Sequence, residues 1–389
     1  MRISPISICN YRCLFCEIHK DNLLFPNRPV NIFTMKDLKN YEYFLSNAYG
    51  VEFYGGSAEP LLNPNFSDIV AYLKKNYNPK LMVNTNASVM TGKISDNFVK
   101  YGFDKILVSY HAGTKECYNY LTTCGNVDNV DRNLKYLNER KKLFKKNKPE
   151  VEFNFALQKL NSNEFKTVVN KAKDFGVSDI LVSKYYGGRN KLQEKKVSFD
   201  FNPEDGNKIL DEIYDYSRKK DVRLIPEKPN YWIKENNECV WDPNNFNFSK
   251  KCFSPWLSLH FDPVLDDENC HYVSICNRIS LFKINYRKLN LSDKKSFDKF
   301  WNHPILQYMR KTINLKEPNP ICKYCKNCQR ECLRNVDAEK YAKVRDKAVK
   351  DFFSEFRKNY KFDEIEGLEI LKENPHSDEK FKNMLKKKK

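Results

Sequence analysis

The chain has 389 residues, and its 68 Lys and Arg residues outnumber its 50 Asp and Glu residues, giving a formal net charge of +18 at pH 7. A chain of this length buries a hydrophobic core without covalent staples, so its thirteen cysteines are not those of a disulfide mini-protein. It has no run of ~18 apolar residues for a membrane span and no signal-peptide pattern, so we expect a cytoplasmic protein with no membrane partner.

Thiols stay reduced in the cytoplasm, so clustered cysteines there are expected to be metal ligands or catalytic groups rather than disulfides. The odd number of cysteines also leaves one without a disulfide partner. The positive charge comes with many Lys and Asn residues, which codon usage produces as readily as nucleic-acid binding does. We therefore do not expect nucleic acid as a partner.

The first part of the chain alternates short β-rich runs with segments of helical periodicity. The predicted strands are Ile3–Ile8, Val51–Tyr54, Lys80–Asn84, Lys105–Tyr110, Val151–Leu157 and Asp179–Lys184. The predicted helices are Met35–Ala48, Phe66–Asn76, Asp96–Tyr101, Asn126–Lys145, Glu164–Phe175 and Pro203–Lys219. Six successive βα units predict an α/β fold with a parallel sheet, either doubly wound or a partial barrel.

The composition changes after Pro226, where Pro, Trp and Asn occur without a sustained period, and eight of the thirteen cysteines follow in 239–332. A charged helical tail comes last, with Ala338–Lys358 as its best segment. The predicted domains are 1–226, 227–332 and 333–389. We interpret the basic runs Arg140–Lys148 and Lys386–Lys389 as solvated surface.

A cysteine motif follows the first predicted strand. Cys9, Cys13 and Cys16 form a C-x3-C-x2-C run. Three thiolates on one tight loop can hold three irons of a four-iron cluster and leave the fourth iron open. Structural zinc needs a fourth ligand, for which only His19 is near.

This loop after strand one resembles the hallmark of the radical SAM superfamily. The resemblance implies a (β/α)6 partial barrel, a [4Fe-4S] cluster on Cys9, Cys13 and Cys16, and S-adenosyl-L-methionine (SAM) chelated by the open iron. It also implies reductive cleavage of SAM to a 5′-deoxyadenosyl radical that abstracts a substrate hydrogen. Phe15 stands where the superfamily often has an aromatic residue beside the adenine.

A second match to the superfamily follows the second strand, in Gly55-Gly56-Ser57-Ala58-Glu59-Pro60. Glycines permit close backbone approach to a ligand, and a carboxylate accepts hydrogen bonds from an ammonium group. The segment is similar to the GGEP segment that binds the methionine amino group, which implies SAM contacts at Gly55, Gly56, Glu59 and Pro60. It departs from the pattern in Ser57-Ala58, where a Gly usually precedes the Glu.

Polar residues end the next two predicted strands. They are Asn84 in Asn84-Thr85-Asn86, and Ser109 and His111. Ligands in α/β folds bind at the carboxyl edge of the sheet. The resemblance implies contacts from Asn84, Ser109 and His111 to the ribose and carboxylate of SAM, although polar residues also simply end strands.

The C-terminal cysteines resemble the SPASM or shorter twitch extension of radical SAM enzymes, which carries auxiliary four-iron clusters. Soft thiolates at this density select Fe–S or zinc. We expect one auxiliary [4Fe-4S] cluster on Cys252, Cys276, Cys322 and Cys325. Further cysteines could replace one of these ligands or hold a second auxiliary cluster. They are Cys239, Cys270, Cys328 and Cys332. The full SPASM pattern has a longer gap than that between Cys325 and Cys328, and a cysteine beyond Cys332.

The resemblance implies a radical SAM enzyme of oxidoreductase or epimerase type, with a flavodoxin- or ferredoxin-like reductant partner. The substrate is expected to be a carbohydrate-like small molecule or a peptide or protein. Only eight residues precede Cys9, fewer than a leader-binding domain needs. This favours an enzyme that acts on a carbohydrate-like small molecule over a peptide-modifying maturase. An alternative of another class is a basic RNA-binding or RNA-modifying protein with a zinc module at 322–332.

Overall fold

The computed structural model describes residues 1–16, 30–54, 58–184, 203–227, 229, 232–235, 238–241, 252, 254–257, 259–264, 267–274, 280–285, 288–323, 338–361, 364–365 and 368–371. The chain divides into two compact units. The N-terminal unit comprises Ile3–Met35 and Ala48–Trp232, and the C-terminal unit comprises Met1–Arg2, Lys36–Asn47 and Ile233–Lys389.

The strands are numbered in chain order. They are β1 (Arg2–Ile3), β2 (Gly50–Phe53), β3 (Lys80–Thr85), β4 (Lys105–Ser109), β5 (Glu150–Leu157), β6 (Asp179–Lys184), β7 (Arg223–Ile225), β8 (Trp232–Glu235), β9 (Glu238–Trp241), β10 (His260–Val264), β11 (Asp267–Ser274), β12 (Ser280–Asn285) and β13 (Leu368–Ile370).

The helices are numbered in the same way. They are α1 (Met35–Asn40), α2 (Glu42–Ser46), α3 (Phe66–Asn76), α4 (Gly92–Lys100), α5 (Lys115–Thr122), α6 (Val127–Leu143), α7 (Phe165–Asp174), α8 (Pro203–Lys219), α9 (Ser254–Leu257), α10 (Lys294–Trp301), α11 (Pro304–Thr312) and α12 (Ala338–Asn359), with 3-10 turns at Pro60–Leu62 and Lys159–Glu164.

The N-terminal unit is a sheet in which β1 to β7 lie in sequence order. Each pair from β2–β3 to β6–β7 is parallel. Apolar residues alternate along the strands, as in β3, where Leu81 and Val83 are buried, and the helices also bury apolar residues, such as Ile69 and Leu73 of α3. The predicted parallel α/β partial barrel is confirmed, and all carboxyl ends of the strands lie at one edge.

Four local predictions differ from the structure. The first strand ends at Ile3 rather than Ile8, because Pro5 has no N–H to continue a ladder. The helix predicted over Met35–Ala48 breaks at Tyr41 into α1 and α2. Two elements, α5 and β7, are not among the predicted helices and strands, and β7 is only three residues long, ending just before Pro226.

The C-terminal unit contains the antiparallel strands β10 to β13, paired in sequence order. A stack of aromatic rings holds α2 against α10, with Phe44 on Phe297 at 5.4 Å and Phe297 on Trp301 at 5.7 Å between ring centroids. Helices α10 and α11 are separate, because the chain turns at His303 and Pro304 opens α11. No helix in the described ranges is long and apolar enough to cross a membrane.

Candidate active site at the carboxyl ends of the strands

The loop from Cys9 to Cys16 is fixed by backbone hydrogen bonds to the end of α5. Leu14 N–H donates to the carbonyl of Leu121 at 2.9 Å, and Arg12 N–H donates to that of Thr122 at 3.3 Å. Carbonyls in the last turn of a helix have no partner within the helix. The helix terminus and the loop therefore satisfy each other, which fixes where the three thiols lie.

The three thiols of this loop are partly buried and close enough to influence one another. Burial, opposed in part by the Tyr11 N–H, raises the pKa of Cys9 to about 12, and the charge of Cys16 adds to the rise. Burial also raises the pKa of Cys13 well above its usual range, with the charges of Cys16 and Cys9 adding to it. Such thiolates need cationic partners to form, which is what iron supplies.

A structural zinc ion and a four-iron cluster with one open iron need different numbers of protein ligands. Within the described part of the chain, no three His, Cys, Asp or Glu side chains converge on one point as the ligands of one metal ion do. Structural zinc would require four convergent ligands. Cys9, Cys13 and Cys16 are three soft donors on one loop, which is the number and type of protein ligands that a four-iron cluster with one open iron takes.

Glu59 lies at the centre of a buried hydrogen-bond network beside this loop. Its Oε1 accepts from Thr85 Oγ1 at 2.5 Å and from the Leu61 N–H at 3.1 Å, and its Oε2 accepts from the Asn86 N–H at 2.7 Å. Burial raises the pKa of Glu59 to about 7, although these three donors oppose the shift. The carboxylate thus joins the ends of β2 and β3, and Pro60 beside it is also buried.

The ends of β3 and β4 bring two further predicted residues together. The Ser109 hydroxyl donates to Asn84 Oδ1 at 3.4 Å, and both side chains are only partly buried. His111, two residues further on, is 5% exposed. Its ring meets the Phe15 ring edge-on, with 4.9 Å between centroids. The structure therefore places Phe15 of the cysteine loop against the end of β4.

The hydrogen bonding of His111 defines its tautomer. The Ala156 N–H donates to Nδ1 at 3.1 Å, so Nδ1 carries no proton and Nε2 carries one. Burial lowers the pKa of His111 to about 4, so the ring is neutral at pH 7. Within the described residues nothing bonds to Nε2, which leaves an N–H donor beside Phe15.

The comparisons with known proteins agree with this geometry. Residues 3–148, which contain the cysteine loop, the Glu59 network and β2 to β4, match the model of the Radical SAM superfamily. Residues 3–148 are therefore similar to the radical SAM domain. A probable GTP 3′,8-cyclase of Metallosphaera sedula is 26% identical over 242 residues, which are 60% of this chain and 68% of that protein.

Solved structures show the same fold. SuiB of Streptococcus suis bound to S-adenosylmethionine aligns with 78% of this chain and 67% of its own, at 16% identity and a TM-score of 0.53. SuiB bound to its precursor peptide SuiA aligns over 57% of this chain and 47% of its own, at 17% identity and a TM-score of 0.44. The fold is thus shared with SuiB, whose structure holds S-adenosylmethionine.

Two of the cysteines predicted beyond the radical SAM domain are described in full. Cys252 is exposed and pairs with Asn314, its N–H donating to Oδ1 at 2.9 Å and its carbonyl accepting from Nδ2 at 3.0 Å. Cys322 is buried, and its sulfur lies 3.3 Å from Asn319 Nδ2 and 3.5 Å from Met309 Sδ. Both cysteines therefore lie beside the C-terminal end of α11.

The remaining predicted residues fall outside what the structure describes. Cys239 lies in β9 and Cys270 in β11, but neither side chain is described. Gly55, Gly56, Cys276, Cys325, Cys328 and Cys332 lie outside the described residues.

Sequence analysis did not single out the residues that link the cysteine loop to β3. Asn86 Nδ2 donates to Asn10 Oδ1 at 2.9 Å and contacts Cys9 Sγ at 4.0 Å. The Asn84-Thr85-Asn86 segment was recognised as the polar end of a strand. That Asn86, rather than Asn84, reaches the loop depends on the tertiary register of the strand ends, which no local pattern contains.

Proposed function

We propose that this chain is a radical SAM enzyme that holds a [4Fe-4S] cluster on Cys9, Cys13 and Cys16 and binds SAM beside it. The observation that carries the proposal is the anchored three-thiol loop next to the Glu59 network at the carboxyl edge of the sheet. The bound cluster would supply the electron that cleaves SAM to a 5′-deoxyadenosyl radical, which abstracts a substrate hydrogen.

The residues around the loop have distinct roles in this proposal. Phe15 packs against the adenine, and the Nε2–H of His111 donates a hydrogen bond to SAM. Asn84 and Ser109 offer further polar contacts. Glu59 holds the backbone that follows Gly55 and Gly56 and, with Pro60, shapes the pocket for the methionine end. Its three protein donors fit this shaping role, and one carboxylate has room to accept a further hydrogen bond.

The reaction we infer is oxidation of the substrate radical, with epimerisation as the other outcome. An auxiliary cluster on Cys252, Cys276, Cys322 and Cys325 would accept the electron, and the position of Cys252 and Cys322 beside α11 supports a shared site. In deuterated water, a product two mass units lighter than the substrate indicates oxidation, whereas one deuterium at an inverted carbon indicates epimerisation. A flavodoxin- or ferredoxin-like protein would reduce the first cluster, in the cytoplasm.

The relatives suggest two substrate classes. The relative from Metallosphaera sedula is named for a reaction of GTP, a sugar-containing small molecule, which agrees with a carbohydrate-like substrate. SuiB was crystallised with a precursor peptide, which keeps a peptide-modifying maturase as the second candidate. The proposed domains remain 1–226 for the radical SAM barrel, 227–332 for the auxiliary module and 333–389 for the tail.

Replacing Cys9, Cys13 and Cys16 together with Ala tests the proposal. We expect the folded triple variant to release no 5′-deoxyadenosine from SAM under dithionite, while the anaerobically reconstituted wild type releases it. The measurement is chromatography of the nucleoside products. Cys124→Ala is a matched control, since Cys124 is an exposed thiol outside the proposed ligand set, and it should retain cleavage.

Iron analysis of the same proteins tests the auxiliary site. The triple variant should keep about four irons, the content of one four-iron cluster. Wild-type cleavage rates in the triple variant would place the radical chemistry elsewhere. Zinc near one per chain with little iron in the wild type would instead favour the RNA-binding alternative with a zinc module at 322–332.

A further inference from the structure

The side chain of Asn86 is held in one orientation by its neighbours. Its Oδ1 accepts from the Ser88 N–H at 2.9 Å and from the Ser88 hydroxyl at 2.7 Å. Because a backbone N–H can only donate, the atom facing Ser88 must be the oxygen of the amide. The NH2 group of Asn86 therefore faces the other way, toward the cysteine loop.

A closed ring of hydrogen bonds fixes this orientation. Asn86 Nδ2 donates to Asn10 Oδ1 at 2.9 Å, Asn10 Nδ2 donates to Ser88 Oγ at 2.8 Å, and Ser88 Oγ donates back to Asn86 Oδ1 at 2.7 Å. Asn10 belongs to the cysteine loop, and Asn86 and Ser88 belong to the turn after β3. The ring thus clamps the loop to the sheet edge at the residue next to Cys9.

The second N–H of the Asn86 amide lies toward the Cys9 sulfur. The distance from Asn86 Nδ2 to Cys9 Sγ is 4.0 Å, and the Tyr11 N–H reaches the same sulfur at 3.4 Å. Asn86 is 8% exposed, so water competes little for this donor. Its own backbone N–H is held by Glu59, which anchors the residue from the opposite side.

We propose that Asn86 is a positioning residue that donates an N–H···S hydrogen bond to the cluster ligand Cys9 and thereby raises the reduction potential of the cluster. The inference rests on the proposed function, since it requires the cluster to be bound by this loop. Hydrogen bonds to cluster sulfurs stabilise the reduced, more negative state. Removing one should move the potential to more negative values.

The experiment is a potentiometric titration of the full chain with its clusters reconstituted, followed by electron paramagnetic resonance. The signal that changes when SAM is added belongs to the cluster with the open iron. We expect Asn86→Ala to shift the midpoint of that signal to more negative potential. Asn86→Asp keeps the size and the Oδ1 acceptor but replaces the donor with a carboxylate, so its shift should be at least as large and in the same direction.

Asn133→Ala is the matched control for the turn itself. Asn133 Nδ2 holds the carbonyls of Ala87 and Ser88 at 2.8 and 3.0 Å without touching the cysteine loop. Asn133→Ala should leave the midpoint potential of the SAM-responsive signal unchanged. A wild-type midpoint in both Asn86 variants, or loss of the cluster from both while Asn133→Ala keeps it, would overturn the inference. Absence of any SAM-responsive signal in the wild type would instead overturn the proposed function.

Discussion

Gly125 shows how a single position constrains the cysteine loop. It follows α5, and a Cβ there would lie 2.1 Å from Thr122 Oγ1 and 3.1 Å from Cε2 of Tyr11. The Thr122 hydroxyl also donates to the Tyr118 carbonyl at 2.7 Å. A side chain at this position would therefore displace both the helix end and the aromatic residue between Cys9 and Cys13.

Gly125→Ala should destabilise the protein by about 1–3 kcal/mol, the usual cost of overpacking. It should also lower the iron that the cysteine loop retains after gel filtration. Urea unfolding and iron analysis measure the two effects. Gly92→Ala is the control, because the three atoms nearest to a Cβ there belong to the Tyr136 side chain, at 3.3 Å or more. Equal iron retention in the two variants would contradict this view of Gly125.

Asp104 links three elements at the opposite edge of the sheet from the candidate site. It precedes β4, and its carboxylate pairs with Lys74 of α3 at 2.5 Å, with Lys80 of β3 at 3.5 Å and with Lys148. Burial alone would raise its pKa, but hydrogen bonds from Lys148, Lys74 and the Leu81 backbone hold the pKa well below its usual range. The folded state therefore favours the ionised carboxylate.

Asp104→Asn should cost about 2–4 kcal/mol at pH 7, since it leaves the Lys74 side chain, 6% exposed, without its counter-ion. The stabilisation is complete above the unfolded pKa of about 4 and is lost as pH falls below it. The difference in free energy of unfolding between wild type and Asp104→Asn should therefore shrink in acid. Urea unfolding at several pH values measures this.

The control for Asp104 is Asp128→Asn. Asp128 pairs with Lys115 at 2.6 Å, but both side chains are 57% exposed. Exposed pairs of this kind contribute about 0–1 kcal/mol. A loss as large for Asp128→Asn as for Asp104→Asn would show that burial does not separate the two ion pairs.

Three histidines among the described residues are buried and neutral, which makes the stability of the protein sensitive to acid. They are His111, His260 and His303, each no more than 8% exposed. Burial lowers the pKa of each to about 4. In the unfolded chain a histidine has a pKa of about 6.5. Between these two values the unfolded state binds more protons than the folded one.

We therefore expect the free energy of unfolding to fall as pH drops from about 6.5 to 4, by up to about 1.4 kcal/mol per pH unit for each histidine. His303→Asn should reduce this slope, because an Asn oxygen can still accept the Ile305 N–H that His303 Nδ1 accepts at 3.2 Å and cap α11. Urea unfolding between pH 7 and 4.5 provides the measurement. An unchanged slope in His303→Asn would assign the acid sensitivity to other groups.

The parts of the molecule that sequence predicted are those governed by local pattern. Strands β2 to β6 alternate or run apolar between turn residues, so they and their parallel order were predictable. Pro5 shortens the first strand. The helix breaks at Tyr41, although the helical periodicity of the sequence continues across this residue. The C-x3-C-x2-C spacing located the cysteine loop because its three cysteines lie close together in sequence.

The parts that sequence did not predict depend on contacts between distant residues. Glu59 was recognised, but its bonds to Thr85 and Asn86 follow from the register of β2 against β3. The tautomer of His111 depends on Ala156, a residue 45 positions away. Neither contact leaves a periodic signal in the sequence.

The backbone bonds between the cysteine loop and the end of α5 bear on how the protein matures. Leu14 and Arg12 bind the carbonyls of Leu121 and Thr122 through groups that involve no thiol and no metal. These bonds therefore position the cysteine loop through the polypeptide backbone. For the proposed cluster, maturation would then insert inorganic atoms into a loop that the backbone already positions, so a scaffold protein could deliver a finished cluster without having to build the loop around it.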